Sequence, residues 1–481
     1  MRTHSPAQLE SALRILRTLR AAGYEAYLAG GCVRDLLLGR APADYDVATS
    51  ATPDVVLDMF PRTFAVGAHF GVVLVADEPK DASEAAASSE ESVPTRVEVA
   101  TFRSDGAYSD GRHPDEVRYT LTAAEDVQRR DFTINGLLLD PLRGGTLGDE
   151  GFWNAGFADP KALRAAVVDH VGGLADLDTG LIRAIGPPVR RFEEDQLRLL
   201  RAVRFAARFS FAMEPATFAA IRDLAPRIHA VSRERVRDEL TKMLTEGHAR
   251  RAFELLDETG LLAEVLPEVA RMKGVAQPPQ FHPEGDVWIH TLMLLDQLKT
   301  DCSATLAWGA LLHDVGKPPT FRIAPDRIRF DSHVDVGVAM GVEICARLRF
   351  SNDETRQILA LIENHMRFAD APRMKASTLK RFFRLDRFNE HLALHRMDCM
   401  AAHGNLDLWN FVREHYEATP AEVVRPKPLL TGRELIVAGY TPGPSFHEML
   451  TAVEDAQLEG VVTTLEDALA LVQQHFGPAP Q

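Results

Sequence analysis

The pattern of hydrophobic and polar positions divides the 481-residue chain into a short region of mixed elements and a longer helical region. In the first region, apolar alternation predicts strands at residues 25–28, 44–48, 70–76 and 96–102, with short helices at 33–38 and 53–59. From about Leu121 the apolar period is mainly helical as far as the last residues. The pattern therefore predicts an α+β protein, in which a small α/β head precedes a long all-helical body.

Proline-rich stretches predict where the helical region is divided. The prolines of QPPQFHPEGD, residues 277–286, lack the backbone N–H that a helix needs, so this stretch is predicted to be a domain junction. RPKPLLTG, residues 425–432, is predicted to be a second junction. We expect four parts: a head over 1–170, a helical neck and body over 171–276, a third domain over 277–424 and a helical tail over 425–481. An acidic segment over 77–94 lacks an apolar period and is predicted to be a loop between two strands.

Composition narrows the class of protein. The N-terminus lacks the apolar core of a signal peptide, and no apolar run approaches the roughly 20 residues of a membrane span, so we expect a cytoplasmic protein without a membrane partner. Four widely spaced cysteines indicate neither a disulfide framework nor a thiolate zinc site. The net charge of −15 argues against a general basic surface for nucleic acid. RNA binding would need a local arginine cluster, and residues 187–209 contain one.

Acidic residues alternate with apolar ones in two predicted strands. In an extended strand, Asp44 and Asp46 point to one side while Tyr45 and Val47 face the core, and Glu98 alternates with its valine neighbours in the same way. If the strands are neighbours, three carboxylates converge, and hard oxygen ligands suit Mg²⁺ or Mn²⁺ holding a triphosphate. An isolated Asp-x-Asp can equally be a solvated strand end.

Two glycines stand about ten residues before this pair. Gly30 and Gly31 precede a short predicted helix and would let backbone amides approach phosphate oxygens, to which Arg34 could add a charged contact. The glycines alone could form a simple strand-to-helix turn. Together with the aspartates they favour a site for a nucleotide phosphate.

A third segment has arginines at helical spacing. On a helical wheel one side is apolar, and the other side carries Arg198, Arg201, Arg204 and Arg208. The ordinary interpretation of such a helix is a solvated basic face.

The order of these motifs resembles a known family. GGCVRD, DYD, RRDFTIN (129–135) and EDQLRLLRAVRF (194–205) are similar to motifs of the class II nucleotidyltransferases, which include tRNA CCA-adding enzymes and bacterial poly(A) polymerases. The resemblance covers residues 24 to about 273. It implies that Asp44 and Asp46 hold catalytic Mg²⁺, with Glu98 as a third carboxylate. It also implies that Gly30, Gly31, Arg34 and Arg130 contact the incoming nucleotide, and that Asp131 and Asn135 position its ribose.

The resemblance implies that Asp195 and Arg198 read the base, while Arg201 and Arg204 meet phosphates or support that pair. A carboxylate can accept from an exocyclic amine, and a guanidinium can donate to the neighbouring ring acceptor. Cytosine and adenine share that edge, so the implied substrates are CTP, ATP and tRNA. Residues 103–117 resemble a flexible family loop linked to complete CCA addition, whereas residues 144–167 depart from the family as an insertion.

Other activities stay open on the sequence alone. The nearest alternatives are a poly(A) polymerase and an enzyme restricted to A or CC addition. A nucleotidyltransferase that modifies proteins and an HD phosphohydrolase with an RNA-binding head belong to other classes. The sequence carries no indication of an oligomeric state.

A second constellation lies in the helical region. His290 begins an apolar helical period, and LAWGALLHDVGKPP contains the adjacent His313 and Asp314, an order that resembles the HD phosphohydrolase superfamily. His333, His365 and Asp398 stand where further ligands are expected. Imidazole and carboxylate ligands suit a divalent transition metal that activates water near neutral pH. Buried histidines can instead be core residues, and metal binding alone does not establish turnover.

Overall fold

The computed structural model describes residues 6–64, 71–77, 95–105, 117–141, 159–280, 282–283 and 285–479. The chain forms two compact units. The first unit contains residues 1–240 and 254–265, and the second unit contains residues 241–253 and 266–481. The four-part division expected from the proline-rich junctions stays a prediction.

In the described residues, the first unit is built on a seven-stranded mixed sheet with the order β3-β4-β5-β2-β1-β8-β9. Its strands are β1 (Ala26–Ala29), β2 (Asp46–Thr49), β3 (Thr63–Phe64), β4 (Val72–Asp77), β5 (Thr95–Thr101), β8 (Leu138–Leu139) and β9 (Val167–Val168). Two further pairs are β6 (Arg103–Asp105) with β7 (Val117–Tyr119), and β10 (Leu181–Ile182) with β11 (Ala212–Met213). The helices are Pro6–Ala21, Gly31–Leu37, Pro53–Met59, Ala123–Gln128, Pro160–Ala165, Gly173–Thr179, Pro188–Glu194, Leu197–Phe209, Pro215–Leu224 and Leu261–Val265, with 3₁₀ turns at Thr133–Asn135 and Ala225–Ala230.

The predicted acidic cluster required the strands of Asp46 and Glu98 to be neighbours in the sheet, and the strand pairing shows that they are. β2 lies parallel to β5, with Val47 opposite Val99, so these two strands are neighbours in the sheet. Tyr45 and Val47 are buried, as the alternation predicted. The predicted strand 44–48 begins two residues later than expected, at Asp46, so Asp44 belongs to the preceding loop.

The second unit is largely helical. Its helices are Pro267–Ala270, Val287–Asp296, Ala304–Leu312, Lys317–Thr320, His333–Arg347, Asn352–Asn364, Ala376–Phe383, Phe388–Ala401, Asp407–Ala418, Ala421–Val424, Gly432–Val437, Ser445–Glu459 and Leu465–Phe476, with a 3₁₀ segment at His365–Arg373. Helices Arg233–Thr245 and Ala249–Glu258 contain residues of both units. One hairpin, β12 (Phe321–Ile323) with β13 (Ile328–Phe330), interrupts the helices.

The predicted α+β class is confirmed, with a mixed-sheet head and a mainly helical body. The expectation of an all-helical body needs one correction, because β10 to β13 are short strands of two or three residues each. Such strands are too short to give a visible alternation in the sequence. No helix in the described ranges is long and apolar enough to cross a membrane.

Three segments discussed from the sequence lie mostly outside the described residues. They are 78–94 of the acidic segment, 106–116 of the family loop and 144–158 of the insertion.

Candidate active site and metal centre

A cavity of about 480 Å³ in the first unit is lined by residues from all four sequence motifs. The predicted residues on its wall are Gly30, Gly31, Arg34, Asp44, Asp46, Arg130, Asp131, Asn135, Asp195, Arg198, Arg201 and Arg204. Arg129 and Arg208 also line it, so a chain with a net charge of −15 gathers seven arginines around one cavity. Glu98 is the one predicted residue of the first unit that is not part of this lining.

The acidic cluster lies where β2 begins. Asp46 is its first residue, and the register with β5 places Glu98 next to it on the neighbouring strand. Burial, followed by the charges of Asp44 and Glu98, raises the pKa of Asp46 to about 7, against the opposing effect of Arg130. A carboxylate that is costly to ionise beside two others fits a divalent cation, which supplies the balancing charge. Asp44 and Asp46 line the cavity and fit a cation held there, whereas the ligand atoms of Asp44, Asp46 and Glu98 do not all lie within 4.8 Å of one another, so the share of Glu98 in the site stays a prediction.

The turn after β1 brings a glycine against an arginine. Gly30 has φ of 73°, and a Cβ at this residue would lie 3.1 Å from Nη1 of Arg130, so conformation and space both favour glycine. Arg130 Nη2 donates to Asp126 Oδ2 at 3.1 Å, and Arg129 Nε donates to Asp126 Oδ1 at 2.8 Å. Asp126, which we did not predict, thus orients both arginines.

Asp131 connects the sheet to the arginine-bearing helix. Its Oδ2 accepts from Nε and Nη2 of Arg201 at 2.9 and 2.6 Å, and its Oδ1 accepts from Nδ2 of Asn135 at 3.0 Å. Burial alone would raise the pKa of Asp131, but Arg201 and these hydrogen bonds hold that pKa well below its usual range. Asn135 Oδ1 in turn accepts from Arg34. These contacts favour a role for Asp131 in fixing the side chains of Arg201 and Asn135, in addition to the ribose contact that the resemblance implied.

The residues expected to read a base are held from several directions. Arg235 Nη2 contacts both oxygens of Asp195, at 3.3 and 3.1 Å. Arg198 donates through Nη1 to the carbonyl of Arg191 and through Nη2 to the carbonyl of Arg129, each at 3.0 Å. Arg235 comes from helix Arg233–Thr245 and was not predicted. The contacts fix a carboxylate and a guanidinium on the same wall of the cavity.

Phe205 forms an apolar support for three of the arginines. The guanidinium carbons of Arg204, Arg34 and Arg201 lie 4.4, 5.2 and 5.2 Å from the centre of its ring. Arg204 also donates through Nε to Oε2 of Glu239 at 2.7 Å, and both of these side chains are buried. Arg204 therefore supports the wall rather than forming part of a solvated basic face.

The second unit brings the predicted HD residues together. The ligand atoms of His290, His313 and Asp314 lie within 4.8 Å of one another, and so do those of Asp314, His333 and His365. Asp398 Oδ1 lies 3.0 Å from His290 Nε2. All six residues therefore belong to one cluster.

Backbone carbonyls orient three of the imidazoles. Nδ1 of His313, His333 and His365 lies 3.0, 3.0 and 2.7 Å from the carbonyl oxygen three residues earlier. With the proton on Nδ1, each Nε2 presents a lone pair to the cluster, and these Nε2 atoms are buried without a hydrogen-bond partner in the described residues. Burial lowers the pKa of His333, and lowers that of His365 to about 4, which favours the neutral form that binds metals. The donor set fits a metal centre.

A cavity of about 500 Å³ opens beside this centre. Asp314 and Asp398 lie on its wall with the basic side chains of Lys317, Arg327 and Arg329. Positive groups beside a metal centre favour an anionic ligand.

This arrangement is that of a class II nucleotidyltransferase head followed by an HD domain. Residues 26–183 match the family described as "Poly A polymerase head domain", residues 210–273 match "Probable RNA and SrmB- binding site of polymerase A", and residues 286–398 match "HD domain". The chain therefore carries, in this order, a poly(A) polymerase head, an RNA-binding region and an HD domain, and in this it is similar to the class II CCA-adding enzymes and poly(A) polymerases.

Relatives and solved structures agree with this assignment. The CCA-adding enzyme of Lactobacillus gasseri is 37% identical over 297 residues, which are 61% of this chain and 65% of that protein. That of Geobacillus kaustophilus is 39% identical over 261 residues, 54% of this chain and 55% of that protein. The chain thus spans less than two thirds of these relatives. The crystal structure of the Bacillus stearothermophilus CCA-adding enzyme in complex with CTP has 26% identity, a TM-score of 0.69 and 98% coverage of both chains.

Proposed function

We propose that this protein adds CCA to the 3′ end of tRNA, using CTP and ATP and no nucleic-acid template. One observation carries the proposal: twelve residues from four separate motifs line a single cavity in the first unit. The similarity to CCA-adding enzymes supports it, and the Bacillus stearothermophilus enzyme of this group was crystallised in complex with CTP.

In the proposed reaction, the 3′-hydroxyl of the RNA attacks the α-phosphate, a new phosphodiester bond forms, and pyrophosphate leaves. Asp44 and Asp46, with Glu98, would hold Mg²⁺. Bound there, the cation would lower the pKa of the attacking hydroxyl and stabilise the leaving pyrophosphate. Arg130 and Arg34 would contact the nucleotide through charge-assisted hydrogen bonds.

Base selection would depend on Asp195 and Arg198. The carboxylate accepts from the exocyclic amine of cytosine or adenine, and the guanidinium donates to the adjacent ring nitrogen. Uracil and guanine present the reverse order, which leaves both protein groups without a match. Since Arg235 and two backbone carbonyls hold this pair, the discrimination would be built into the protein itself.

An extension assay tests the activity. Purified protein is incubated with tRNA transcripts that end before CCA, before the final A, or at the complete CCA, with each nucleotide alone and with CTP and ATP together. We expect two C residues and then one A, and no addition to the complete end. A long tail of A would identify a poly(A) polymerase instead, and addition that stops at CC or is confined to one A would identify the restricted enzymes.

We infer a second activity for the HD domain, hydrolysis of phosphomonoesters or cyclic phosphates with a divalent transition metal. The observation that favours it is the set of buried imidazole Nε2 atoms directed at Asp314 beside a basic cavity. Asp314→Ala is expected to abolish phosphate release and to leave tRNA extension intact, and Asp46→Ala is expected to do the reverse. Phosphate release by a wild-type protein that incorporates no nucleotide would favour an HD phosphohydrolase with an RNA-binding head. Labelling of a protein by nucleotide would favour the protein-modifying class.

A further inference from the structure

Lys317 is a buried cation on the wall of the HD cavity. Its Nζ lies 2.7 Å from Oδ2 of Asp314 and 2.7 Å from Oε1 of Gln277. The residue is only 6% exposed, and yet it lines the cavity. An ammonium group has three N–H donors, and these two contacts use two of them. The third N–H can therefore serve a ligand.

Gln277 reaches this lysine from the segment before the His290 helix. It is 3% exposed. The neighbouring Ala276 forms an antiparallel bridge with Asp286, and the Asp286 carboxylate accepts from the amide of Gly274 at 2.7 Å. Asp286 also caps helix Val287–Asp296 through the amide of Ile289. The backbone that places Gln277 is thus tied to the start of the helix that carries a metal ligand.

We propose that Gln277 is a positioning residue for anion binding in the HD domain. Its Oε1 fixes the Lys317 ammonium so that the remaining N–H donates to an oxygen of a phosphoryl group bound in the cavity. Arg327 and Arg329, on the same wall, add positive charge, so the ligand is a phosphate-bearing anion rather than a neutral molecule. This inference rests on the HD metal site of the proposed function and adds a residue that the sequence placed only in a proline-rich junction.

The geometry explains why a second acceptor is needed. If Asp314 were the only partner, the ammonium could rotate about that contact, and its other N–H groups would have no fixed direction. A second acceptor removes this freedom before the ligand arrives, so less ordering accompanies binding. It also provides a hydrogen bond to a charge that is almost completely buried.

The test uses the full-length, metal-loaded protein and inorganic phosphate as the probe, with binding followed by calorimetry. Gln277→Met keeps the length of the side chain and removes the acceptor, and a hydrogen bond to a charged group of this kind corresponds to about a tenfold loss of affinity. Lys317→Met should weaken binding at least as much. Because Gln277 acts through Lys317, the double variant should bind no more weakly than Lys317→Met alone. Unchanged affinity in Gln277→Met, or losses that multiply in the double variant, would overturn the proposal.

Gln357→Met is the matched control because it removes an equally buried, hydrogen-bonded amide outside the cavity, and it should bind phosphate as the wild type does. Metal content and tRNA extension should equal those of the wild type in both variants, which shows that the protein is folded. Loss of metal from Gln277→Met would indicate a purely structural role and refute the proposal. A raised KM for p-nitrophenyl phosphate with kcat retained would support it. If the wild type turns over no phosphoester but the pattern of phosphate affinities holds, the hydrolase proposal fails and this inference stands.

Discussion

Replacing Asp46 by asparagine tests the acidic cluster through two opposite effects. Asparagine keeps the shape of the side chain and removes its charge. We expect nucleotide addition to be lost, because the cation loses a ligand and its charge compensation. We expect the metal-free protein to become more stable at the same time, because an aspartate that is costly to ionise has been removed.

The pKa of Asp46 gives the size and the sign of this gain. The pKa is raised from 3.8 to about 7 in the folded protein. Since the folded pKa lies above the unfolded one, the folded protein keeps a proton that the unfolded chain releases, and stability falls as the pH rises from about 4 to 7. A pKa raised by this amount corresponds to a free energy of unfolding lower by at most about 4 kcal/mol at high pH. Solvent screening of this partly exposed side chain reduces the expected effect to about 2 kcal/mol.

Amide hydrogen exchange of β1 and β2 measures this free energy in the first unit itself. In EDTA at pH 8, Asp46→Asn should raise the free energy of opening by about 2 kcal/mol, and at pH 5 by roughly a third of that amount, because most of the titration lies above pH 5. Asp58→Asn, which removes a carboxylate from helix Pro53–Met59 outside the cluster, should change it by less than about 0.5 kcal/mol. Mg²⁺ should stabilise the wild type and not Asp46→Asn. An Asp46→Asn protein no more stable than the wild type at pH 8 in EDTA would refute the reasoning.

Three further substitutions test other parts of the structure. Asp131→Asn takes from the half-buried Arg201 its carboxylate partner, so the first unit should lose about 2 kcal/mol at neutral pH. Because the folded pKa of Asp131 is depressed, the wild type should lose the same contribution as the pH falls below about 4, and equal stability at neutral pH would contradict the proposed pairing. Arg235→Ala frees the Asp195 carboxylate, so the ratio of kcat/KM for CTP over UTP should fall about tenfold, with a smaller fall in Arg235→Lys; an unchanged ratio would exclude Arg235 from base selection. Asp314→Asn should lower the metal content of the HD domain and leave tRNA extension at the wild-type rate, whereas retention of the full metal content would show that Asp314 is not a ligand.

The sequence predicted features of the head that depend on local periodicity. The alternation around Asp46 correctly predicted that Tyr45 and Val47 are buried, because successive side chains of a strand point to opposite faces whichever strand lies beside it. The position of Glu98 depended on strand order, and the parallel neighbours β2 and β5 are separated in the chain by a helix and by strands β3 and β4. The alternation could therefore predict which side of its strand Glu98 occupies. Whether that side lies beside Asp46 depends on which strands are neighbours in the sheet, and the alternation does not contain that information.

Partners that lie far apart in the chain could not be predicted. The helical wheel showed four arginines on one side of helix Leu197–Phe209 and gave no reason to bury them. In the structure, Arg204 meets Glu239, and Asp195 meets Arg235, across separations of 35 and 40 residues. A periodic pattern distinguishes polar from apolar positions, but a buried ion pair needs a specific partner, which depends on how helices pack. The same limit applies to Gln277, whose lysine partner is 40 residues away.

The two halves of the proposed nucleotide site share one short segment of backbone. The carbonyl of Arg129 binds Arg198, Nη1 of Arg130 lies against Gly30, and the carboxylate of Asp131 binds Arg201. Helix Leu197–Phe209 therefore cannot shift Arg198, which is proposed to read the base, without disturbing the arginine that faces the turn after β1. In the proposed reaction, which accepts cytosine twice and then adenine, this connection means that a change of base preference also changes how the phosphates are held. Substitutions at Asp131 should accordingly change the KM for both CTP and ATP together with the rate of addition, rather than the preference between them alone.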